Sequence, residues 1–143
     1  MKFWDSSALV PLLVREESTD AARALFGSDP VVLVSWLTLV ECASAIARAE
    51  HEALLPAPAA TEAFARLDEL ATVWREVEPS NEVRETARRL LRVHRLRSAD
   101  ALQLSSAMLA AERRPASLGV VTLDDRLEAA ALKEGFAVLV PGR

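Results

Sequence analysis

The run Val31-Val32-Leu33-Val34 constrains this chain more than any other feature. It is apolar throughout, mostly β-branched, and closed by Asp29-Pro30 on one side and Ser35 on the other. A strand that is apolar on both faces must be covered on both faces, which is how strands of parallel sheets read. Similar runs recur at Met1 to Trp4, at Leu118-Gly119-Val120-Val121-Thr122, and at Phe136 to Val140, closed by Pro141.

Between these runs lie segments with helical signals. Ser6 or Ser7 is the expected cap of a first helix, whose early turn Pro11 disturbs. A second helix is expected over Ser18 to Phe26, stopped by Gly27, and a third over about Thr38 to Glu50. His51 to Ala60, which holds Pro56 and Pro58, reads as a loop between helices. Phe64, Leu67, Leu70, Ala71 and Trp74 recur at helical intervals, so a helix is expected over about Ala59 to Arg75. Ser80 is the expected cap of a helix ending near His94, and Ser98 of one ending near Glu112. A short helix over about Arg126 to Glu134 stops at Gly135.

Strands alternating with helices predict an α/β fold, a three-layer α/β/α sandwich around a mostly parallel sheet. A length of 143 residues suits one domain spanning 1–143. With 51% apolar and 27% charged residues, the composition excludes a disordered chain or a disulfide scaffold. Cys42 has no partner for an internal disulfide, so a reducing, cytoplasmic location is expected. The start of the chain shows no leader pattern, and no run approaches the roughly 20 apolar residues that span a bilayer. The net charge of −4 argues against holding nucleic acid by bulk charge. A local basic rim and bound cations would still suit a nuclease.

Ligand crevices of open parallel sheets lie beyond the carboxyl ends of the strands. Asp5 follows the first strand, and Asp124 stands two residues after Thr122. Glu41 and Asp100 each fall in or near the first turn of an expected helix. Each acid has an ordinary explanation. The helix dipole favours acids in the first turn by about 0.3–1 kcal/mol. Asp124 or Asp125 could cap the last helix, and Asp5 could be a turn residue. Together, however, two strand-end acids and two helix-start acids can converge on one crevice. Such a cluster would protonate unless a cation offset its charge. Mg²⁺ and Mn²⁺ take oxygen ligands and serve phosphate chemistry.

The segments that carry these acids resemble a known family. Phe3-Trp4-Asp5-Ser6-Ser7-Ala8-Leu9-Val10, Glu41 in a helix, Leu96-Arg97-Ser98-Ala99-Asp100-Ala101-Leu102-Gln103-Leu104 and Val121-Thr122-Leu123-Asp124-Asp125-Arg126-Leu127 are similar to PIN domains. More narrowly, they resemble the VapC toxins of type II toxin–antitoxin pairs, over Met1 to about Pro141. The resemblance implies a Mg²⁺- or Mn²⁺-dependent endoribonuclease, a hydrolase leaving a 5′-phosphate and a 3′-hydroxyl. It also implies an antitoxin partner and a homodimer. It assigns Asp5, Glu41, Asp100 and Asp124 as the catalytic, metal-binding quartet, with Asp5 and Asp100 the main ligands. The Thr-x-Asp pattern selects Asp124 over its neighbour Asp125. Ser6 and Thr122 match supporting polar positions. Gln103 replaces a histidine common in the family, a change read as without consequence for the acids.

Arg15, Arg95, Arg97 and Arg126 lie close in sequence to these segments, and Arg97 is the candidate for RNA binding. Each is, taken singly, an ordinary surface charge. The resemblance also implies an antitoxin tail, for which the helices of Ser6 to Phe26 and Thr38 to Glu50 could form an apolar groove. Trp4, Trp36 and Trp74 are read as core residues, ahead of a role in stacking on RNA bases. Cys42, His51 and His94 lack metal-ligand spacing. Two other readings stand beside the ribonuclease: a catalytically silent PIN-like module that binds a partner, and a metal-dependent nuclease or phosphatase acting on something other than RNA. The presence of all four acids argues against the first.

Overall fold

The computed structural model describes residues 1–143. Five strands build one sheet: β1 (Lys2–Trp4), β2 (Val32–Ser35), β3 (Arg75–Val77), β4 (Gly119–Val121) and β5 (Ala137–Leu139). Every neighbouring pair is parallel, in the order β3-β2-β1-β4-β5. The helices are α1 (Ser6–Leu9), α2 (Thr19–Ser28), α3 (Thr38–His51), α4 (Ala57–Ala71), α5 (Asn81–Val93), α6 (Ser98–Ala110) and α7 (Asp125–Lys133).

Phe3 and Trp4 are both fully buried yet belong to separate cores. Consecutive strand residues point to opposite faces, so each residue anchors one layer. Phe3 and Val120 meet Leu90 of α5, Leu104 of α6 and Leu127 of α7. Trp4 and Val34 meet Leu9 of α1, Ile46 of α3 and Leu67 of α4. This is the expected three-layer α/β/α sandwich with a parallel sheet. No helix is long and apolar enough to cross a membrane.

The chain builds outward from β1 through β2 to β3, then returns to add β4 and β5 on the other side. The strand order therefore reverses between β1 and β4. In sheets of this kind the crevice opens at that switch point. The residues that leave β1 and β4 are Asp5 and Thr122.

Several boundaries differ from the sequence reading, for local reasons. The helix expected to reach Arg75 ends at Ala71, and Arg75–Val77 is edge strand β3. The expected loop over His51 to Ala60 is shorter, because α4 begins at Ala57 with Pro58 in its first turn, where no amide is needed. Gly27 does not stop α2, which continues to Ser28. Asp5, not Ser6 or Ser7, caps α1 by accepting from the Ser7 amide. Arg97 takes the cap position of α6 in place of Ser98, and its amide donates to Asp100 at 3.3 Å. Ser80 caps α5 as expected, accepting from the Val83 amide at 3.1 Å. Pro11 does break the first turn, since Val10–Leu12 is a 3₁₀ segment.

Trp4 ties the centre of the sheet to a buried charge. Its Nε1 donates to Asp29 Oδ2 at 2.9 Å, while Asp29 Oδ1 meets the Met1 amine at 3.1 Å. The indole also packs edge-on against Phe26, with 5.4 Å between ring centroids. Trp4→Phe removes the donor and leaves a void. The expected loss is about 2–4 kcal/mol, read as a lower urea midpoint with an unchanged slope.

Candidate active site

Asp5 is 3% exposed. A carboxylate this deep is costly unless donors surround it. Its Oδ2 accepts from the Ser7 amide at 3.3 Å, the Ser7 hydroxyl at 2.5 Å and the Thr122 hydroxyl at 2.9 Å. Oδ1 takes no protein hydrogen bond. Burial still pushes the Asp5 carboxyl above the usual carboxylate range. The hydrogen bonds from Ser7 and Thr122 oppose that shift, and the charge of Asp100 adds to it.

The same hydroxyls hold the neighbouring loop. Ser7 Oγ accepts from the Leu123 amide at 2.9 Å, and Thr122 Oγ1 accepts from the Asp124 amide at 3.0 Å. The exits of β1 and β4 are thus one hydrogen-bonded unit. Asp124 emerges from it as the cap of α7, with Oδ1 accepting from the Leu127 amide at 2.8 Å. Asp125 points outward, its side chain 94% exposed, and pairs with Arg143 at 3.8 Å. Of the two neighbours, Asp124 is the one whose charge raises the Asp100 carboxyl.

Glu41 stands in the first turn of α3, half-buried. Burial raises its carboxyl, a hydrogen bond from Gln103 lowers it, and the charges of Asp5 and Asp100 raise it again. Asp100, in the first turn of α6, is raised by burial and then by Asp124. Its own link to the Arg97 amide and the charges of Arg97 and Arg126 oppose that shift. Asp100 is therefore the carboxylate that the other three share: Asp5, Glu41 and Asp124 each couple to it. A cavity of about 440 Å³ opens beside it, lined by Arg97, Asp100, Leu123, Asp124, Asp125 and Arg126. Both arginines are exposed at its rim.

Two residues carry more than the sequence suggested. Ser7, rather than Ser6, grips Asp5; Ser6 is the first residue of α1 and only eases the ionisation of Glu41. The signal for Ser7 was its place two residues after an acid that leaves a strand, the spacing of an Asx turn. Gln103 is wholly buried and donates to Glu41 Oε1 at 2.5 Å and to Thr38 Oγ1 at 3.1 Å. Its replacement of histidine therefore does bear on the acids. Its Oε1 has no partner at all. Cys42 is buried beside Glu41, and burial pushes its thiol up to about 12, so it stays protonated.

No three acid, histidine or cysteine side chains approach one another closely enough, as they stand, to share an ion. The chemistry of the donor set nonetheless suits a hard divalent cation. All the candidate ligands are carboxylate oxygens, and one oxygen each of Asp5 and Asp124 is free of the hydrogen bonds that fix the side chain. Their mutual repulsion is the kind of strain that a bound cation relieves.

Known proteins resemble this chain in sequence and in fold. The sequence profile of the PIN domain matches residues 2–133. Ribonuclease VapC45 of Mycobacterium tuberculosis is 32% identical over 136 residues, covering 95% of this chain and 92% of that protein. The crystal structure of VapC20 from the same species, described as a sarcin–ricin loop cleaving toxin, superposes with a TM-score of 0.69 at 24% identity. It covers 96% of this chain and 97% of that one. A toxin–antitoxin complex from Klebsiella pneumoniae superposes with a TM-score of 0.68 at 18% identity, covering 99% and 98%. The chain belongs to the PIN-domain family and, within it, to the VapC proteins.

Proposed function

We propose that this chain is a Mg²⁺- or Mn²⁺-dependent endoribonuclease and the toxin of a toxin–antitoxin pair, with residues 1–143 acting as one unit. The observation that carries the reading is the junction of β1 and β4 at the switch point of the sheet, where the buried Asp5 is hydrogen-bonded to Thr122 and where Asp100 and Asp124 line one cavity. Curated relatives named as ribonucleases support it.

Asp5 and Asp100 would be the main ligands, with Glu41 and Asp124 completing the set. When bound, the ion lowers the pKa of a water and screens charge on the phosphate. The chain's own residues hold the acids ready for it. Ser7 and Thr122 fix one oxygen of Asp5, and Gln103 fixes one oxygen of Glu41. Arg97 and Arg126 stand at the mouth of the cavity, where an RNA phosphate would meet two cations beside the carboxylates. The expected products carry a 5′-phosphate and a 3′-hydroxyl.

The partners follow the same reading. A surface cavity of about 360 Å³ lies between α1 and α3, with Val10, Val14 and Ala45 on its apolar side and Arg48 and Glu52 on its polar side. An antitoxin segment would lie there. The shared fold of a solved toxin–antitoxin complex supports such a partner. A homodimer and a cytoplasmic location belong to the same proposal.

Two outcomes test it. With Mg²⁺, the protein should cleave single-stranded RNA in preference to single-stranded DNA or a phosphomonoester. Asp5→Asn and Asp100→Asn should each lower that rate by about 100-fold or more, and Arg97→Ala should weaken RNA binding and cleavage together. Equal rates in wild type and Asp100→Asn would remove the assignment.

The second outcome is thermal. The folded protein binds the protons of Asp5, Glu41 and Asp100 more tightly than the unfolded chain does. Its metal-free stability therefore falls as pH rises from the usual carboxylate range through the higher folded-state values. At neutral pH without metal, Asp5→Asn should raise Tm, since it removes a buried charge and keeps an acceptor for Ser7 and Thr122. Added Mg²⁺ or Mn²⁺ should raise the wild-type Tm, by about 2.7 kcal/mol of stability at 100 times Kd, and leave Asp100→Asn nearly unmoved.

A further inference from the structure

Of the three tryptophans, two are core residues with satisfied indoles. Trp4 donates to Asp29, and Trp74, 6% exposed, donates to Glu76 at 3.2 Å. Trp36 differs from both and from the sequence expectation. It is 51% exposed and its Nε1 has no protein partner. It follows β2, so it stands on the same carboxyl edge of the sheet as Asp5 and Thr122. Its backbone is pinned there by a hydrogen bond from its amide to Val77 O at 3.1 Å.

Trp36 borders a cavity of about 340 Å³. That lies at the lower end of the range for small-ligand pockets, roughly 300–1,000 Å³. Val77, Val83 and Leu102 give it flat apolar walls. Asn81 and Arg84 stand at its mouth. The Asn81 Oδ1 is occupied by Arg84 Nη2 at 2.5 Å, which leaves the Asn81 amide NH₂ free to donate. Arg84 is the one charged residue of the lining. An aromatic plate, apolar walls, free amide donors and a cation suit a flat heteroaromatic ring attached to an anionic backbone.

The cavity and the candidate active site draw on the same two helices, α3 and α6. Leu37, part of its lining, caps α3, and Glu41 follows in the first turn of that helix. At about 1.5 Å of rise per residue, those positions are roughly 6 Å apart along the axis. On the other side, Leu102 precedes Gln103, the residue that holds Glu41. Residues of both walls are thus close along the chain to Glu41 and to the glutamine that holds it.

We propose that this cavity is a nucleobase pocket, in which one unstacked base of the bound strand lies against Trp36 and presents its edge to Asn81. This rests on the reading of the protein as a ribonuclease. An aromatic platform beside a cationic groove is the usual means of holding single-stranded nucleic acid, and unstacked bases are what proteins read in RNA. The pocket would set which nucleotide lies next to the cleaved bond.

Trp36 is also the probe. Intrinsic fluorescence is recorded for wild type and Trp36→Phe, and their difference reports Trp36 alone. In the free protein that emission should be quenched by acrylamide. With Ca²⁺ in place of Mg²⁺, and the RNA checked for integrity on a gel, a short labelled single-stranded RNA should change the Trp36 emission. Trp36→Ala should bind it about 5- to 150-fold more weakly, the range for loss of one base stack, while Trp36→Phe keeps most of the affinity. An abasic strand of the same length should bind wild type as weakly as Trp36→Ala binds RNA, and the variant should lose nothing further with it. Circular dichroism checks that Trp36→Ala stays folded.

Unchanged emission and equal affinity for Trp36→Ala, in a protein that still cleaves RNA, would overturn the pocket and leave the proposed function standing. Resistance of Trp36 to acrylamide in the free protein would overturn it too, because a second copy would then cover the cavity. Failure of wild type to cleave any RNA would overturn both.

Discussion

The buried carboxylate of Asp5 is the constraint on which the active region depends. An acid placed here needs donors, and the nearest ones come from two distant parts of the chain. Ser7 supplies two from the first turn of α1, and Thr122 supplies one from the exit of β4. The hydroxyls then accept from the Leu123 and Asp124 amides. A single desolvated charge thereby fixes the relative position of β1, α1, β4 and α7. The donors that offset the burial of Asp5 tie this junction together, and Asp124 leaves it as the cap of α7. Asp5 is also left needing a positive neighbour that the protein does not provide.

Much of this architecture was legible in the sequence, because burial on both faces leaves an unmistakable mark. Val31 to Val34 and Gly119 to Val121 could hardly be anything but interior strands. Arg75-Glu76-Val77 left no such mark. Two of its three residues are charged and exposed, as an edge strand allows, and pairing with β2 alone makes it a strand. Trp74, read as the last helical core residue, is a core residue, but in the turn that leads into that edge. Capping was harder. Ser98 has the right side chain for a cap, yet Arg97 is the extended residue, and Asp100 reaches back to its amide. An acid at the third helical position performs the role that a serine hydroxyl would have had.

The four acids were visible individually, and the expectation that they converge came from the parallel topology. Pairings across the fold were not visible. Gln103 and Glu41 are separated by 62 positions, and nothing local marks either as the partner of the other. The choice between Asp124 and Asp125 likewise depends on which residue is extended. Asp124, at φ −90° and ψ 118°, turns its carboxylate back over the helix start, while Asp125 is already helical and points to solvent. A tryptophan gives the same lesson in reverse. Trp36 shares its residue type with Trp4 and Trp74, so composition assigned it to the core. Its place just past a strand end put it at the mouth of a cavity instead.

For the proposed ribonuclease, the charge distribution would let a net-acidic protein meet a polyanion. Its 21 acids and 17 basic residues are not evenly mixed. The coupled acids lie inside the crevice, while Arg97, Arg126 and Arg84 stand at the mouths of two neighbouring cavities. In the metal-free protein the crevice repels phosphate, and the arginines alone offset that field only at short range. A bound divalent ion would reverse the local sign without changing the surface. On the proposed function, substrate attraction and catalysis would both depend on that ion, so phosphate would be held where it can be cut. Bulk charge would have bound nucleic acid everywhere. On the same proposal, the acidic background would confine binding to the edge of the sheet where β1, β2 and β4 end, which is also where the strand order reverses.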